Sequence, residues 1–558
     1  MMPTNVHHIP APRGAPKVNP LPKGVENPYV NIPRFKKLLT SHPDREKVNY
    51  IIHGLTNGFD IGFRGCFTDT APRNNKSAFE HEDGLNEAVE KEVRRKHTAG
   101  PFSSPPFPSN HISPLGAEPK PDGSIRLLMD LSQPHGKSIN EHISKVQFPT
   151  KYVPFDLATD IVHHMGPRCL LSKIDIQHAY RLLPVRPQDW PLLVYFWKGK
   201  YYVDLKLPFG SRSSSSIFTR FADLVAWILT TTYKLVVIHY SDDYLLFSIP
   251  DLLQARNDLS SFLSVLEYLN IPVASDKLLG PTTNLVYLGI TIDTVSMTIS
   301  IPPEKTREML ATLPKWCSRR TCTKADLLSI IGKLNFFAIV IRSGRLFVRR
   351  LIDLSTTVTR KHHHITLNKD TKADFHWWCE FLPKWNHCSI IPSPLRIKSD
   401  DLQLFTDAAK TVGLGAIYGE HWIQALWPPS MSGLDINYKE LFAILTATYT
   451  WGHQWSGKRI VFITDNEPIT QIWKSGSSPN PPLMFLIRKL FFFAASHQFS
   501  ISFKHILGHH NPIADALSRF QVARFRKLAP HAEVHPTPIP PIVWTLDCHA
   551  ENHSQHSN

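Results

Sequence analysis

Two strand-forming runs, Leu235-Val236-Val237-Ile238-His239-Tyr240 and Tyr244-Leu245-Leu246-Phe247-Ser248, are separated only by Ser241-Asp242-Asp243. Such a pattern reads as a β-hairpin, and it forces two carboxylates to the hairpin tip. Aspartates favour turns for backbone reasons, and most Asp-Asp turns are simply solvated. A second run, Leu170-Leu171-Ser172-Lys173-Ile174, ends on Asp175 and continues into Ile176-Gln177-His178-Ala179-Tyr180. Magnesium takes oxygen ligands from one or two carboxylates plus phosphates. Asp175, Asp242 and Asp243, at neighbouring strand ends, therefore suit two ions around an incoming triphosphate.

A chain of 558 residues is too long for one hydrophobic core. Its 62 Lys and Arg against 47 Asp and Glu leave a net charge of +15, which favours a polyanionic partner over an acidic small molecule. Seven scattered cysteines form no disulfide framework and no paired metal motif. An intracellular setting, cytoplasm or nucleus, is expected. Met1–Pro33 is rich in Pro, His and Asn, lacks the apolar core of a signal peptide, and reads as a disordered leader. The most apolar stretch, Leu327–Ile341, is interrupted by Lys333 and Asn335 and falls short of the ~20 residues that span a bilayer. No membrane partner is expected.

The Pro/Ser-rich passage Pro101–Pro114 follows a charged, helical pattern over Phe79–His97, which puts a boundary near residue 100. Alternating strand and helix patterns fill 101–301. The turn at Pro302-Pro303 leads into basic helical sequence over 302–398. A further α/β pattern occupies 399–520, with a glycine hairpin around Gly413 and Gly415 and helices over Tyr438–Tyr449 and Pro512–Phe520. The tail, 521–558, reads as mobile, and 1–100 as a partly disordered extension.

The last α/β block carries a second set of acids. Leu402–Thr406 reads as a strand ending on Asp407, and Arg459–Thr464 as one ending on Asp465. Glu440, three residues after Asn437, has the structural alternative of a helix-capping partner. Asp515 has that of compensating a helix dipole. Together the four suit two magnesium ions, one activating water and one stabilising a leaving oxygen.

Tyr240-Ser241-Asp242-Asp243 resembles the YxDD motif of reverse transcriptases, and Asp175 the first palm aspartate of that family. Other pieces follow in the family's order: Lys120-Pro121-Asp122-Gly123-Ser124-Ile125-Arg126-Leu127, Leu207-Pro208-Phe209-Gly210, Lys277, and Tyr287-Leu288-Gly289-Ile290. The resemblance implies that Lys120 and Arg126 clamp the triphosphate, that Phe209 and Gly210 lie beneath the nascent base pair, and that Lys277 lies near the triphosphate. Tyr180 falls where the family keeps the aromatic that excludes a ribose 2'-hydroxyl. After Gly210 the chain departs from the family's Ala-Pro pair with Ser211-Arg212-Ser213-Ser214-Ser215-Ser216, which helical spacing of the following apolar residues reads as a helix start.

Asp407, Glu440, Asp465 and Asp515 fall in the strand, helix, strand, helix order of ribonuclease H, and Ala514-Asp515-Ala516-Leu517-Ser518-Arg519 resembles the version fused to retrotransposon enzymes. His509 would be the family's mobile histidine. The implied fold is a multidomain α/β (α+β) one: fingers and palm, then a helical thumb and connection, then a ribonuclease H-like domain. In the helical region Lys315, Arg319, Arg320, Lys324, Arg342, Arg345, Arg349 and Arg350 suit phosphate contacts. The implied activities are RNA-directed DNA polymerase and ribonuclease H. Both use magnesium or manganese; the partners are dNTPs, an RNA template, a DNA primer and the RNA/DNA hybrid. The run Ser113-Pro114-Leu115-Gly116 through Asp130-Leu131-Ser132 looks most like tyrosine-recombinase retrotransposons of the DIRS and Ngaro types, and a recombinase would have to lie on another chain. The rival readings are a degenerate RNA-binding scaffold and a polymerase-dead ribonuclease H.

Overall fold

The computed structural model describes residues 19–546, apart from 67, 121, 386, 394, 465, 476–479 and 506–510. It divides into two compact units, Met1–Pro154 with Leu170–Thr282, and Phe155–Cys169 with Thr283–Asn558. The chain is mixed α/β over more than one domain, as its patterning implied.

The first unit opens with α1 (Ile32–Leu38), α2 (Arg45–Asn57), α3 (Lys76–Glu80) and α4 (Glu82–Arg94). Asn31 and Asp44 cap the first two through side-chain acceptors, which satisfies amides that a helix start leaves open. Val48, Ile51 and Leu55 are buried along one face of α2, and Leu85, Val89 and Val93 along one face of α4, the stripe of an amphipathic helix. Strand β1 (Thr98–Phe102) is followed by the hairpin of β2 (Leu115–Pro119) and β3 (Ile125–Met129). Then come β4 (Leu170–Asp175), β5 (Val194–Trp197) and β6 (Lys200–Asp204), with β1, β6 and β5 forming one antiparallel sheet. Helix α5 (Phe155–Met165) belongs to the second unit; α6 (Ser214–Trp227), β7 (Val236–Tyr240), β8 (Asp243–Ser248), α7 (Leu252–Tyr268) and β9 (Leu279–Thr282) complete the first. The sheet that matters for chemistry runs β7-β8-β4-β9, antiparallel throughout.

The boundary expected near residue 100 does not divide this core. Phe35, Ile51, Leu55 and Leu85 are buried in one cluster with Ile174, Leu182, Phe218, Phe221 and Leu246. The main chains of Asn19 and Gly100 bond in both directions, at 2.9 and 2.6 Å. From Asn19 onward the segment is therefore part of the unit rather than an extension. Its Pro-rich start and the charged character of Phe79–His97 hid the short apolar stripes that dock it.

In the second unit β10 (Asn284–Tyr287), β11 (Ile290–Asp293) and β12 (Thr298–Ser300) form an antiparallel meander. A mainly helical stretch follows: α8 (Pro303–Ser318), β13 (Thr321–Thr323), α9 (Lys324–Val340), α10 (Leu346–Thr356), β14 (His364–Thr366) and α11 (Lys369–Phe381), with β15 (Cys388–Ile390) returning to pair with β12. Several basic residues expected to meet phosphate are consumed internally. Arg350 reaches Asp374 at 2.7 and 2.8 Å, Arg342 reaches Asp156 at 3.2 Å, and Lys324 donates to the Val358 carbonyl at 2.6 Å. Lys315, Arg320 and Arg345 are exposed.

The last part comprises β16 (Arg396–Lys398), β17 (Leu404–Ala408), β18 (Gly413–Tyr418), β19 (His421–Leu426), α12 (Ile436–Trp451), β20 (Arg459–Thr464), α13 (Glu467–Ser475), α14 (Pro481–Ser496), β21 (Ser500–His505) and α15 (Pro512–Ser518). Strands β17-β18-β19 are antiparallel and β16-β20-β21 parallel. The tail expected to be mobile is packed as far as it is described: α16 (Val522–Leu528) buries Phe525, whose ring lies 5.0 Å from that of Trp422. Trp544 meets Phe442 at 6.0 Å.

Phe35 is fully buried, its ring 5.5 Å from that of Phe221. Phe35→Ala should lower stability by about 3–5 kcal/mol in a urea titration. A loss below about 1 kcal/mol would detach α1 from the core.

Candidate active sites

The ladder between β4 and β8 ends by placing Asp175 directly opposite Asp243, while Asp243 also faces Tyr240 of β7. Ser241 adopts a left-handed conformation, φ 57°, and the Asp242 carbonyl accepts from the Ile176 amide at 3.0 Å. The hairpin read from the sequence is thus present, with Asp243 opening its second strand and only Ser241 and Asp242 left in the turn. All three expected acids of this set meet at one end of one sheet.

Two lysines attend them. Lys277 Nζ is 3.2 Å from both Asp175 carboxylate oxygens, and Lys173 Nζ is 3.4 Å from Asp243. Lys173 was not singled out in the sequence, although it sits two residues before Asp175 on the same face of β4. Burial pushes the Asp175 carboxyl up to about 6; Lys277 pulls it back, and the charges of Asp242 and Asp243 push it further. Asp242 is raised as well, first by burial and then by the neighbouring Asp243 charge. Buried like charges that resist ionisation are what a bound cation relieves, and two ammonium groups already stand on the acids. Three carboxylates are donors of the kind magnesium takes, and Asp175, Asp242 and Asp243 are the residues that would hold it.

Around the acids stand the other expected residues. The Tyr180 ring packs on Phe209 and Phe218 at 5.3 and 5.4 Å, remains partly exposed, and has its hydroxyl pushed up to about 12, chiefly by burial. The Arg126 guanidinium lies 5.7 Å from the Phe209 ring centre and 3.2 Å from its cross-strand partner Glu118. Burial lowers Lys120 despite nearby Asp122, and the charges of Lys91, Arg126 and Lys277 add to the lowering, so these cations share one neighbourhood. Gly210 has φ 97°, a conformation open to glycine. Asn140, which the sequence did not flag, donates to the Gly210 carbonyl at 2.9 Å and accepts from the Arg212 amide at 2.8 Å, pinning the turn on both sides. Tyr152, also unflagged, stacks on Tyr240 at 4.2 Å.

The serine run starts α6, as its spacing implied. Ser214 and Ser216 are buried and donate to the carbonyls of Pro208 and Pro149, both at 2.9 Å. Their hydroxyls satisfy main-chain acceptors that would otherwise be stranded.

In the second unit Asp407 of β17 and Glu440 of α12 line a cleft of about 100 Å³ together with Thr406, Thr464 and Asn511. The Ser518 hydroxyl holds Asp407 at 2.5 Å and the Asn466 amide holds Glu440 at 2.7 Å. Asp435, rather than Asn437, caps α12, so Glu440 lies beyond the capping position and that structural alternative falls. A Cβ on Gly415 would come within 2.4 Å of Leu517; the bare glycine lets α15 lie against β18 beside Asp407. Asp515 on α15 turns to Arg519 and Arg524 at 2.6 and 2.7 Å. Burial raises its carboxyl, but those guanidiniums outweigh it and hold it below the usual range. Asp465 and His509 lie outside the described residues. Among the described residues no three His, Cys, Asp or Glu side chains already converge on one point closely enough to hold a metal.

Residues 118–292, which include the first acid set, match the family model for reverse transcriptase (RNA-dependent DNA polymerase). The chain is 24% identical over 459 residues to the retrovirus-related Pol polyprotein from transposon 297 of Drosophila melanogaster, a match covering 78% of this chain and 38% of that protein. It is 22% identical over 425 residues to the transposon Tf2-3 polyprotein of Schizosaccharomyces pombe, covering 73% of this chain and 29% of that one. The chain thus spans well under half the length of these relatives. Among solved structures, the foamy viral protease-reverse transcriptase in complex with double-stranded DNA aligns over 88% of this chain and 85% of its own, with a TM-score of 0.46 and 15% identity. The same protein with an RNA/DNA hybrid aligns over 87% and 64%, with a TM-score of 0.45 and 14% identity.

Because the folded-state pKa of Asp175 lies above the ordinary 3.8, at about 6, the folded protein binds more protons than the unfolded chain between those values, and stability falls as pH rises through that window. Asp175→Asn should therefore raise the Tm of metal-free protein, by the equivalent of about 1–3 kcal/mol above pH 6. The gain should vanish as the pH is lowered to about 4. A pH-independent change in Tm would separate the effect from ionisation.

Proposed function

We propose that this chain is an RNA-directed DNA polymerase with a second, ribonuclease H active site, working in the replication of a retrotransposon. The observation that carries the reading is the pairing of Asp175 with Asp243 across the strand ends, with Asp242 in the adjoining turn, inside the segment that matches the reverse transcriptase family. The three acids would hold magnesium or manganese there, which when bound would supply charge neutralisation and Lewis acidity.

The chain's own residues do the remaining work. Lys120 and Arg126 of the β2–β3 hairpin offer positive charge to a triphosphate. Tyr180, wedged between Phe209 and Phe218, presents a ring edge where a 2'-hydroxyl would have to fit, so dNTPs pass and ribonucleotides do not. The turn at Phe209-Gly210, fixed by Asn140, gives the base pair a flat floor. Lys277 balances Asp175 until a divalent ion and nucleotide arrive. In the second unit Asp407 and Glu440, with Asp465 and Asp515, would hold the ions for hydrolysis of RNA in a hybrid, and His509 would assist proton transfer or product release. Asp515 must leave Arg519 and Arg524 to do so. The exposed Lys315, Arg320 and Arg345 give salt-sensitive, sequence-independent affinity for template, primer and hybrid. The subgroup with a tyrosine recombinase on another chain rests on the run from Ser113-Pro114-Leu115-Gly116 through Asp130-Leu131-Ser132 alone.

Primer extension on a homopolymer RNA template and cleavage of end-labelled RNA in a preformed hybrid should be run on the same preparations. Asp242→Asn should cut extension by at least about a hundredfold and spare cleavage. Glu440→Gln should do the reverse, with a melting curve to confirm folding. Extension by Asp242→Asn at the wild-type rate would remove the first active site, and undiminished cleavage by Glu440→Gln would remove the second.

A further inference from the structure

The turn that delivers Tyr180 is held in an unfavourable shape. His178 and Ala179 both adopt left-handed backbone, φ 74° and 44°, and neither is glycine. Such conformations persist only where the surroundings over-determine them. Here the surroundings are a buried charged network that grips the turn on both sides of the tyrosine.

Arg181 follows Tyr180 and is 6% exposed. Its guanidinium forks between two acids: Nε and Nη2 meet Glu92 of α4 at 2.9 and 2.7 Å, and Nη1 meets Asp204 at the end of β6 at 2.6 Å. Glu92 also lies 3.1 Å from His97 Nδ1, and His97 Nε2 lies 2.8 Å from the Tyr29 hydroxyl. The rings of Tyr29 and His97 then close on His178, at 5.4 and 5.3 Å. Lys206, 2% exposed, supplies the second positive charge and donates to the Glu26 carbonyl at 2.5 Å. Arg181 and Lys206 balance Glu92 and Asp204, so the network is neutral as a set.

A buried ion pair is weak grounds for stability, since apolar residues of the same volume often serve as well. What this one achieves is placement. Ala179, Arg181 and Leu182 are buried, and of these four consecutive residues only Tyr180 keeps an exposed edge. Relaxing Arg181 would let the turn return towards ordinary backbone and swing the ring away from Phe209 and Phe218.

We propose that Arg181, clamped by Glu92 and Asp204, is a positioning residue for sugar selection, so that discrimination against ribonucleotides depends on groups that never touch the nucleotide. The inference rests on the polymerase reading and on Tyr180 as the residue that excludes the 2'-hydroxyl. It also gives the segment around Tyr29 and α4 a task in specificity.

The test is single-nucleotide incorporation by the full chain, comparing kcat/KM for a dNTP and the matching ribonucleotide. The proteins are wild type, Tyr180→Ala, Glu92→Gln, Arg181→Lys and the pair Tyr180→Ala with Glu92→Gln. Glu92→Gln and Arg181→Lys should each lower discrimination by roughly tenfold, a scale typical of coupled contacts, mainly through a lower ribonucleotide KM. In the Tyr180→Ala background Glu92→Gln should cost nothing further, because the ring it positions is gone. The ratio is read on folded molecules only, so a smaller folded fraction does not move it. Should the single variants not fold, Arg181→Met with Lys206→Met, Glu92→Gln and Asp204→Asn removes the four charges together. Wild-type discrimination in the folded clamp variants, beside its loss in Tyr180→Ala, overturns the inference and leaves the polymerase reading standing; so does an additive loss in the pair. Failure of the wild type to incorporate a dNTP overturns both.

Discussion

Carboxylates that face each other across an antiparallel ladder repel, and the surroundings of Asp175 and Asp243 are organised around that contact. Directly opposed side chains are the closest neighbours on a sheet face, and like charges there are destabilising. The ladder from Leu170 opposite Ser248 to Asp175 opposite Asp243 fixes their separation through main-chain bonds, so the acids cannot drift apart. Burial thins the water that would screen them. Lys277 and Lys173 offset the charge from neighbouring positions. The end of the sheet where like charges meet is the end proposed to take a cation.

Polar groups elsewhere in the first unit serve the same end by holding main chain still. Asn140 fixes the turn at Gly210, and the buried hydroxyls of Ser214 and Ser216 fix the carbonyls of Pro208 and Pro149. His239, in the strand that leads to the acids, lies 3.0 Å from Asp223 through Nε2 and 3.3 Å from the Ser241 carbonyl through Nδ1, beside the left-handed turn residue. Each bond satisfies a buried group while removing a degree of freedom near the acids. The second unit solves a similar problem differently: Asp407 and Glu440 come from a strand and a helix, and Asp515 is held by two arginines on its own side.

Much of the first acid set was legible because strand ends are written in local pattern. The runs before Asp175 and on either side of Asp242-Asp243 are largely apolar, and the turn between Tyr240 and Tyr244 is too short for anything but a hairpin. The helix after Gly210 was legible from the spacing of Ile217, Phe218 and Phe221. Long-range partners were not. Nothing near Asn140 announces that it will meet Gly210, and Arg181 looks like any surface arginine until Glu92 and Asp204 close on it. The start of the described chain, Asn19–Pro33, was misread because Pro and Asn are frequent in it, while the few apolar residues that dock it, such as Leu21 and Val30, are outnumbered. Arg342 and Arg350 were misread for the opposite reason: a basic stretch looks like a phosphate surface until its acidic partners, Asp156 and Asp374, are brought to it by the fold.

The most direct measurement is the number of manganese ions bound per chain, read by electron paramagnetic resonance, with an RNA template, a DNA primer lacking its 3'-hydroxyl and the next dNTP present. Wild type and Asp242→Asn should be compared, with folding of both confirmed. Fewer bound ions in Asp242→Asn, with binding at the second site retained, is the expected result. The same number of ions in both proteins would contradict an ion site built on Asp175, Asp242 and Asp243.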